Sequence, residues 1–315
     1  MVQNKLIILF QMKFTDSKIF KHTFFIIILS YSFSSFATEE VKETPTQDAT
    51  QVDTKSSAAP MNTPPNIADI CMQSLKAFPG ESNSKLLLEA CKRALVLQEC
   101  QSVDGVPIYH YDHAGKDKTP KRILAFSLIH GDETHAGTVG RYWMERLEDI
   151  EPRNDWRVIP VLNPDGVKQN TRYNANKIDL NRNFPTKDWD ELAQKYWKLH
   201  AQSSPRRFPG SQSGSEPETK CALKHIEDFK PDFIISIHTP LNVLDFDGPR
   251  VPAPKYSYLP WKSLGHFPGS LGRYMWFERS VPVLTMELKN TLPKSNSPFE
   301  TLQDLIGTLV KYDMK

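Results

Sequence analysis

Short apolar runs alternate with amphipathic helical patterns along the carboxyl-terminal two thirds of the chain. Apolar side chains recur at helical spacing over residues 136–147 and 216–229. Four runs have the length and composition of buried β-strands: 122–129, 156–162, 232–237 and 281–286. Strands that alternate with helices predict an α/β sheet that is covered by helices on both faces.

Local signals refine two of the helical segments. Ser215 and Glu218 have the spacing of a capping box, which predicts the start of the 216–229 helix. A further helical pattern follows Pro185 and places four large apolar side chains on one face. We expect these side chains to pack against the core: Trp189, Leu192, Tyr196 and Trp197.

The amino-terminal third is organised differently. Residues 1–37 combine lysines, an apolar run at 23–29 and small residues up to Ala37, which is typical of a cleaved secretory signal peptide. The alternative is an uncleaved anchor, but the apolar run is shorter than the roughly 20 residues that span a membrane. We therefore expect a periplasmic or secreted protein without stable membrane insertion after cleavage.

Three further segments follow. Residues 38–66 contain few large apolar side chains and predict a flexible linker. Residues 67–103 predict a small helical hairpin, because helical patterns between Ile67 and Glu99 are interrupted at Pro79. Residues 104–315 are sufficient for one domain with a sizeable core, and this domain carries the candidate catalytic residues.

Cysteine content and net charge restrict the possible disulfides and binding partners. Cys71, Cys91, Cys100 and Cys221 are an even number, which in an exported protein permits two disulfides. Three of them lie in or beside the predicted hairpin, so we expect Cys71 to pair with Cys91 or Cys100. The net charge is only +2 and no basic run occurs, which argues against nucleic acid as a partner.

Four side chains that could bind a ligand or take part in catalysis stand at or just after the carboxyl ends of the four predicted strands: His130, Asn163, His238 and Glu287. In open α/β sheets this edge is where ligands bind, so residues distant in sequence should meet there. His130 and Glu133 alone would equally suit a loop histidine and a helix-start glutamate. Together with His238 they form a set for one Zn²⁺ ion with an open coordination position, as in a hydrolase.

Three further roles follow from residue chemistry. Glu287 closes an apolar run and is the candidate general base, which takes a proton from water and passes it to a leaving amine. Arg172 and Arg182 are candidate anion holders, one for the oxyanion of a tetrahedral intermediate. The other arginine, with Asn181, would hold a substrate carboxylate.

These motifs resemble the zinc carboxypeptidase family: HGDE at 130–133, NPDG at 163–166, TRYNAN at 171–176, DLNRNFP at 179–185, His238 and TME at 285–287. The likeness covers about residues 104–290. Within the family, four segments resemble the murein peptide amidase branch: RYNAN at 172–176, GSEPET at 214–219, HTPL at 238–241 and PGS at 268–270.

The resemblance implies a mixed, mostly parallel eight-stranded sheet with helices on both faces, preceded here by the helical hairpin. It implies zinc on His130, Glu133 and His238, with Glu287 as the base. It places Arg172 at the oxyanion, and Asn181 with Arg182 at the substrate carboxylate. The implied reaction is hydrolysis of the γ-D-glutamyl–meso-diaminopimelate bond in peptidoglycan stem peptides or muropeptides.

The chain also departs from the family pattern. True carboxypeptidases carry a loop tyrosine about twenty residues before the catalytic glutamate, and neither Tyr274 nor His266 matches it cleanly. Two alternatives therefore remain. One is an N-acyl amino acid deacylase of the same architecture, and the other is a non-catalytic cell-wall-binding module that keeps the pocket.

Overall fold

A computed structural model describes residues 66–250, 252 and 254–310. The predicted signal peptide, and all of the predicted linker except Asn66, lie outside the described residues. Among the helices that are described, none is both long enough and apolar enough to cross a membrane.

One mixed sheet forms the centre of the described fold. Its seven strands are β1 (Leu95–Gln101), β2 (Pro107–His113), β3 (Arg122–Ser127), β4 (Asp155–Ile159), β5 (Phe233–His238), β6 (Val243–Asp247) and β7 (Val283–Glu287). They lie in the order β1-β2-β4-β3-β5-β7-β6. The four strands that were predicted from apolar runs are β3, β4, β5 and β7.

The predicted strand number and direction were wrong for the described part of the chain. It contains seven strands rather than eight. Three pairings are parallel, and the other three, at the two edges, are antiparallel, so the sheet is not mostly parallel. The central parallel strands are covered on both faces, and their sequences are therefore continuous apolar runs. Strands β1, β2 and β6 carry polar residues, which hid them from that pattern.

Helices cover both faces of the sheet. The longer ones are α1 (Ile67–Lys76), α2 (Ser84–Lys92), α3 (Thr134–Asp149), α4 (Pro164–Gln169), α5 (Trp189–Leu199), α6 (Pro217–Phe229) and α8 (Ser297–Leu309). A short helix, α7 (Leu271–Arg273), continues as a π-helical turn over Tyr274–Glu278. Successive β3 residues enter opposite cores, because strand side chains alternate: Ile123 and Ala125 into one, Leu124 and Phe126 into the other.

The two amino-terminal helices pack into one of these cores. Leu75 and Leu87 are fully buried in the cluster that also contains Trp143 of α3. A disulfide joins Cys71 to Cys91, which is one of the two expected pairings, and a second joins Cys100 to Cys221. The helical prediction was wrong beyond residue 94, where β1 begins, because a short apolar run does not distinguish strand from helix.

The start of α6 also differs from the prediction. Its N-cap is Glu216, which makes no side-chain capping bond, and Pro217 occupies the first turn. Ser215 lies one residue too early and its Oγ donates to Glu216 Oε1 at 2.6 Å. The proline, which is favoured at the first helical position, moves the start of the helix past the predicted capping box.

Candidate metal and active site

Three buried side chains meet above the carboxyl ends of β3 and β5. His130 and Glu133 come from the loop after β3, and His238 ends β5. His130 Nδ1 lies 2.8 Å from Glu133 Oε1 and 3.1 Å from His238 Nδ1, and His238 Nδ1 lies 2.9 Å from Glu133 Oε2. The relative exposures of the three residues are only 2%, 5% and 2%. Their donor atoms therefore surround a single point.

The remaining ring nitrogens are already occupied. His130 Nε2 lies 3.1 Å from Asp179 Oδ1, and His238 Nε2 lies 2.8 Å from Ser236 Oγ. Such partners orient metal-binding histidines and fix which nitrogen faces the metal. A tetrahedral zinc site separates two imidazole nitrogens by about 3.3 Å. Two imidazoles and a carboxylate in this arrangement thus fit a zinc ion with little movement.

Close backbone packing holds the loop that carries His130 and Glu133. A Cβ added to Gly131 would stand 2.0 Å from the carbonyl carbon of Gly166, the third residue of α4. Asn163 caps this helix, since its Oδ1 accepts from the Gly166 N–H at 2.9 Å. Asn163 is fully buried and does not line the cavity described below, so it supports the site rather than facing a ligand.

Asp179 connects the metal-binding cluster to Arg172. Arg172 Nε donates to Asp179 Oδ2 at 2.9 Å, and Arg172 Nη1 lies 3.4 Å from Glu133 Oε1. Burial alone would raise the pKa of Asp179, but Arg172 and His130 hold that pKa well below its usual range. For the His130 ring, burial and Arg172 lower the pKa, while Glu133 and Asp179 outweigh them and raise it.

Asn181 and Arg182 lie on a 3₁₀ turn, Leu180–Arg182. Asn181 Oδ1 accepts from the Leu271 N–H at 2.9 Å, so the side-chain NH₂ can donate elsewhere. The Arg182 guanidinium stacks over Phe267 at 4.4 Å. Burial lowers the pKa of Arg182 to about 10, which still leaves the guanidinium charged at neutral pH. This pair can therefore present donors and one positive charge to a carboxylate.

Glu287 ends β7, the strand next to β5. In the parallel register its Cα is paired with that of His238. Its Oε2 accepts from the Leu241 N–H at 3.2 Å, which orients the carboxylate. The side chain is half-buried and lines the cavity, as a proton-transferring group must.

All seven sequence-predicted site residues line one cavity of about 610 Å³: His130, Glu133, Arg172, Asn181, Arg182, His238 and Glu287. Tyr196 and Trp197, which were predicted to pack, contact Phe267 and Phe208 respectively and also line the cavity. Tyr274 does not line it, and its ring stacks on Phe184 at 6.1 Å. His266 instead lies beside Asp247, with Nδ1 2.8 Å from Oδ1.

Sequence reasoning missed two supporting residues. Asp179 begins the segment that contains Asn181 and Arg182, yet its contact with His130 depends on tertiary structure. Ser236 precedes His238 by two positions on β5, so strand alternation places both on one face. That periodicity was the available signal for Ser236.

Comparisons with known proteins agree with this arrangement. The sequence profile of the zinc carboxypeptidase family matches residues 89–246. Murein peptide amidase A of Vibrio campbellii is 32% identical over 200 residues, which are 60% of this chain and 77% of that protein. Its Escherichia coli K12 counterpart is 31% identical over 147 residues, or 46% of this chain and 59% of that protein.

The fold has a solved counterpart as well. The murein-tripeptide amidase of Escherichia coli O157 has a TM-score of 0.51 and 21% identity, and the match covers 77% of this chain and 97% of that one. The chain belongs to the zinc carboxypeptidase family. It is a metallopeptidase, a hydrolase of a family whose members depend on zinc, and the predicted family resemblance is confirmed.

Proposed function

We propose that this protein hydrolyses the γ-D-glutamyl–meso-diaminopimelate bond of peptidoglycan stem peptides, in the periplasm. The observation that carries the proposal is the convergence of His130, Glu133 and His238 with Glu287 in one cavity, together with cationic and amide donors. Two relatives named murein peptide amidase A support the substrate class. The periplasmic location rests on the predicted signal peptide.

In this proposal His130 Nδ1, His238 Nδ1 and the Glu133 carboxylate hold the zinc ion. Bound zinc supplies a Lewis acid that polarises the scissile carbonyl and makes water more acidic. Asp179 and Ser236 keep the two imidazoles oriented through their Nε2 atoms. Because all three zinc-binding residues are buried, bulk water does not weaken their electrostatic effect.

Glu287 moves the proton. Its carboxylate accepts a proton from the attacking water and then delivers it to the nitrogen of the departing diaminopimelate. The Leu241 N–H holds Oε2, and the second carboxylate oxygen remains to receive the proton. Arg172 stabilises the negative charge that develops on the scissile carbonyl oxygen. Asp179 holds its guanidinium at the cavity wall.

The leaving residue is bound at both of its ends. Asn181 and Arg182 grip its carboxylate beside the scissile bond. In this proposal Asp245 and Asp247, which lie on one side of β6 and line the same cavity, bind the second amine of diaminopimelate. Burial and the neighbouring Asp245 together raise the pKa of Asp247 to about 6, although His266 opposes them, so a bound ammonium would favour the ionised carboxylate.

Incubation with purified muropeptides, with and without a chelator, tests the proposal. We expect mass spectrometry to show zinc-dependent release of diaminopimelate from the tripeptide. Asp245→Asn with Asp247→Asn should raise KM for this substrate and leave hydrolysis of an analogue without the second amine unchanged. Cleavage of N-acyl amino acids alone would instead support a deacylase. Binding of muropeptides without any turnover by the zinc-loaded protein would support a binding module.

A further inference from the structure

A second cluster of metal-binding side chains lies apart from the zinc-binding residues. Cys100, at the end of β1, is joined to Cys221 of α6. His225 follows Cys221 by one helical turn, and its Nε2 lies 3.9 Å from Cys100 Sγ. One donor atom from each residue lies within 4.8 Å of the others. The relative exposures of Cys100, Cys221 and His225 are 2%, 2% and 0%.

The histidine nitrogens of this cluster have unused capacity. His110 of β2 packs edge-on against His225, with ring centroids 4.8 Å apart. The Nδ1 atoms of both rings are buried and have no hydrogen-bond partner among the described residues. Burial lowers the pKa of His110 to about 4. Burial and the nearby charge of Arg157 lower the pKa of His225 even further. Both rings are therefore neutral at physiological pH and keep a lone pair that a metal can use.

We propose that Cys100, Cys221 and His225 form a second metal site, for a thiophilic ion such as Zn²⁺ or Cu⁺, which opens when their disulfide is reduced. His110 offers a further imidazole beside it. The site goes beyond the peptidase function and does not depend on it. Thiolate and imidazole are the ligands of structural zinc sites, and soft thiolates also select Cu⁺.

The geometry suits this conversion. Around tetrahedral zinc a sulfur and an imidazole nitrogen stand about 3.6 Å apart, close to the separation already present between His225 Nε2 and Cys100 Sγ. Two sulfurs on such an ion stand about 3.8 Å apart, which is near the contact distance of sulfurs that are no longer bonded. Breaking the disulfide therefore moves the sulfurs in the direction that a metal requires.

The chemistry balances with a dithiol reductant. Two electrons and two protons from the dithiol cleave the Cys100–Cys221 bond, and the reductant becomes a disulfide. The two new thiols then release their protons to solvent as the metal binds. Disulfide and metal are thus alternative links between β1 and α6, across a sequence separation of 121 residues. A chain that has not yet been oxidised would have the metal link available.

The Cys71–Cys91 pair provides a natural comparison. It is equally buried, but no cluster of three metal-binding residues includes it in the described part of the chain. Cys71→Ser with Cys91→Ser leaves Cys100 and Cys221 as the only cysteines of the sequence. This variant isolates the proposed site from other thiols.

Cobalt titration of the full-length protein tests the proposal, because thiolate ligands give Co²⁺ a near-ultraviolet charge-transfer band that His130, Glu133 and His238 cannot give. We expect the oxidised protein to bind cobalt without this band. After anaerobic reduction and removal of the reductant, the wild type and Cys71→Ser/Cys91→Ser should each bind one further equivalent and show the band. Competing Zn²⁺ and Cu⁺ should displace the cobalt, and the charge-transfer band should then disappear.

Two further variants decide the assignment. His225→Gln should weaken binding of the further equivalent by on the order of 100-fold or more, since even outer partners of metal ligands are worth up to that factor. Cys100→Ser/Cys221→Ser should lose the equivalent and the band, while circular dichroism reports the fold. A reduced wild type that stays folded without the extra equivalent would contradict the proposal. So would a band that survives in Cys100→Ser/Cys221→Ser, or a reduced chain that unfolds despite added metal.

Discussion

His238 and Glu287 stand opposite each other at the carboxyl ends of two adjacent parallel strands, β5 and β7. The pairing of these strands thus places the proposed base beside a proposed zinc-binding residue. A slip of one residue would turn every side chain of one strand to the opposite face. The register of two buried strands is therefore as important for the candidate chemistry as the identity of either side chain.

The first prediction concerns Glu287. Glu287→Gln removes the group that accepts the proton but keeps an oxygen for the Leu241 N–H. We expect kcat for muropeptide cleavage to fall by about 10²–10⁴-fold, because this is the usual contribution of general acid–base catalysis. Zinc content, measured by atomic absorption, should stay unchanged. Glu89→Gln, at an exposed position on α2, is the control, and turnover at the wild-type rate in Glu287→Gln would rule out this base.

The second prediction concerns Asp179. Asp179→Asn preserves the shape of the side chain but removes the charge shared by His130 and Arg172. We expect zinc affinity to drop by about 10–100-fold, as for other partners of metal-binding histidines, and kcat/KM to fall as well. Competition with a chromophoric chelator measures the affinity. Asp190→Asn, exposed on α5, should have no effect; equal zinc affinity in both variants would argue against the role of Asp179.

The third prediction concerns pH and the fully buried Glu218. Its Oε2 accepts from Asn174 at 2.9 Å, but burial raises its pKa from 4.5 to about 7. The folded state therefore holds the proton more tightly than the unfolded state does. The resulting stabilisation is complete below pH 4.5 and is lost as the pH rises to about 7, by about 3 kcal/mol in all.

Urea unfolding at several pH values between 4 and 8 measures this effect. Glu218→Gln should flatten the decline in the free energy of unfolding, because the amide does not titrate. Glu191→Gln, at an exposed position of α5, should retain the wild-type slope. The same slope in the wild type and in Glu218→Gln would show that another group causes the pH dependence.

The fourth prediction concerns Gly131. Gly131→Ala would force its new Cβ to within 2.0 Å of the Gly166 backbone, so the loop with His130 and Glu133 must move. We expect a loss of stability of about 1–3 kcal/mol from overpacking, together with weaker zinc binding. Gly307→Ala is a matched control in α8, where the nearest atom would be 3.7 Å away. It should be neutral or stabilising by about 0.5–1 kcal/mol, and similar melting temperatures for both variants would refute the packing argument.

The sequence predicted the central strands from their apolar runs, and it predicted that His130, His238 and Glu287 meet because each stands at or just after the carboxyl end of one of these strands. The roles of Arg172, Asn181 and Arg182 were predicted from residue chemistry and from the family resemblance. Strand β6 was missed because Asp245 and Asp247 break its apolar pattern by facing the cavity. Strand β1 was read as helix, since the run that begins at Leu95 is short and its partner β2 is not apparent locally. The contacts of Asp179 depend on the folded chain and leave no local pattern.

The contacts of Arg141 indicate that the two amino-terminal helices cannot be removed from the rest of the fold without loss. The Arg141 guanidinium is almost completely enclosed and donates to five backbone carbonyls, one in the last turn of α1 and four in the connection to α2: those of Leu75, Phe78, Pro79, Gly80 and Glu81. Excision of the first two helices would leave this positive charge without its hydrogen-bond acceptors and would expose Trp143 of α3. A shortened protein that starts at residue 104 would therefore lose part of its own interior.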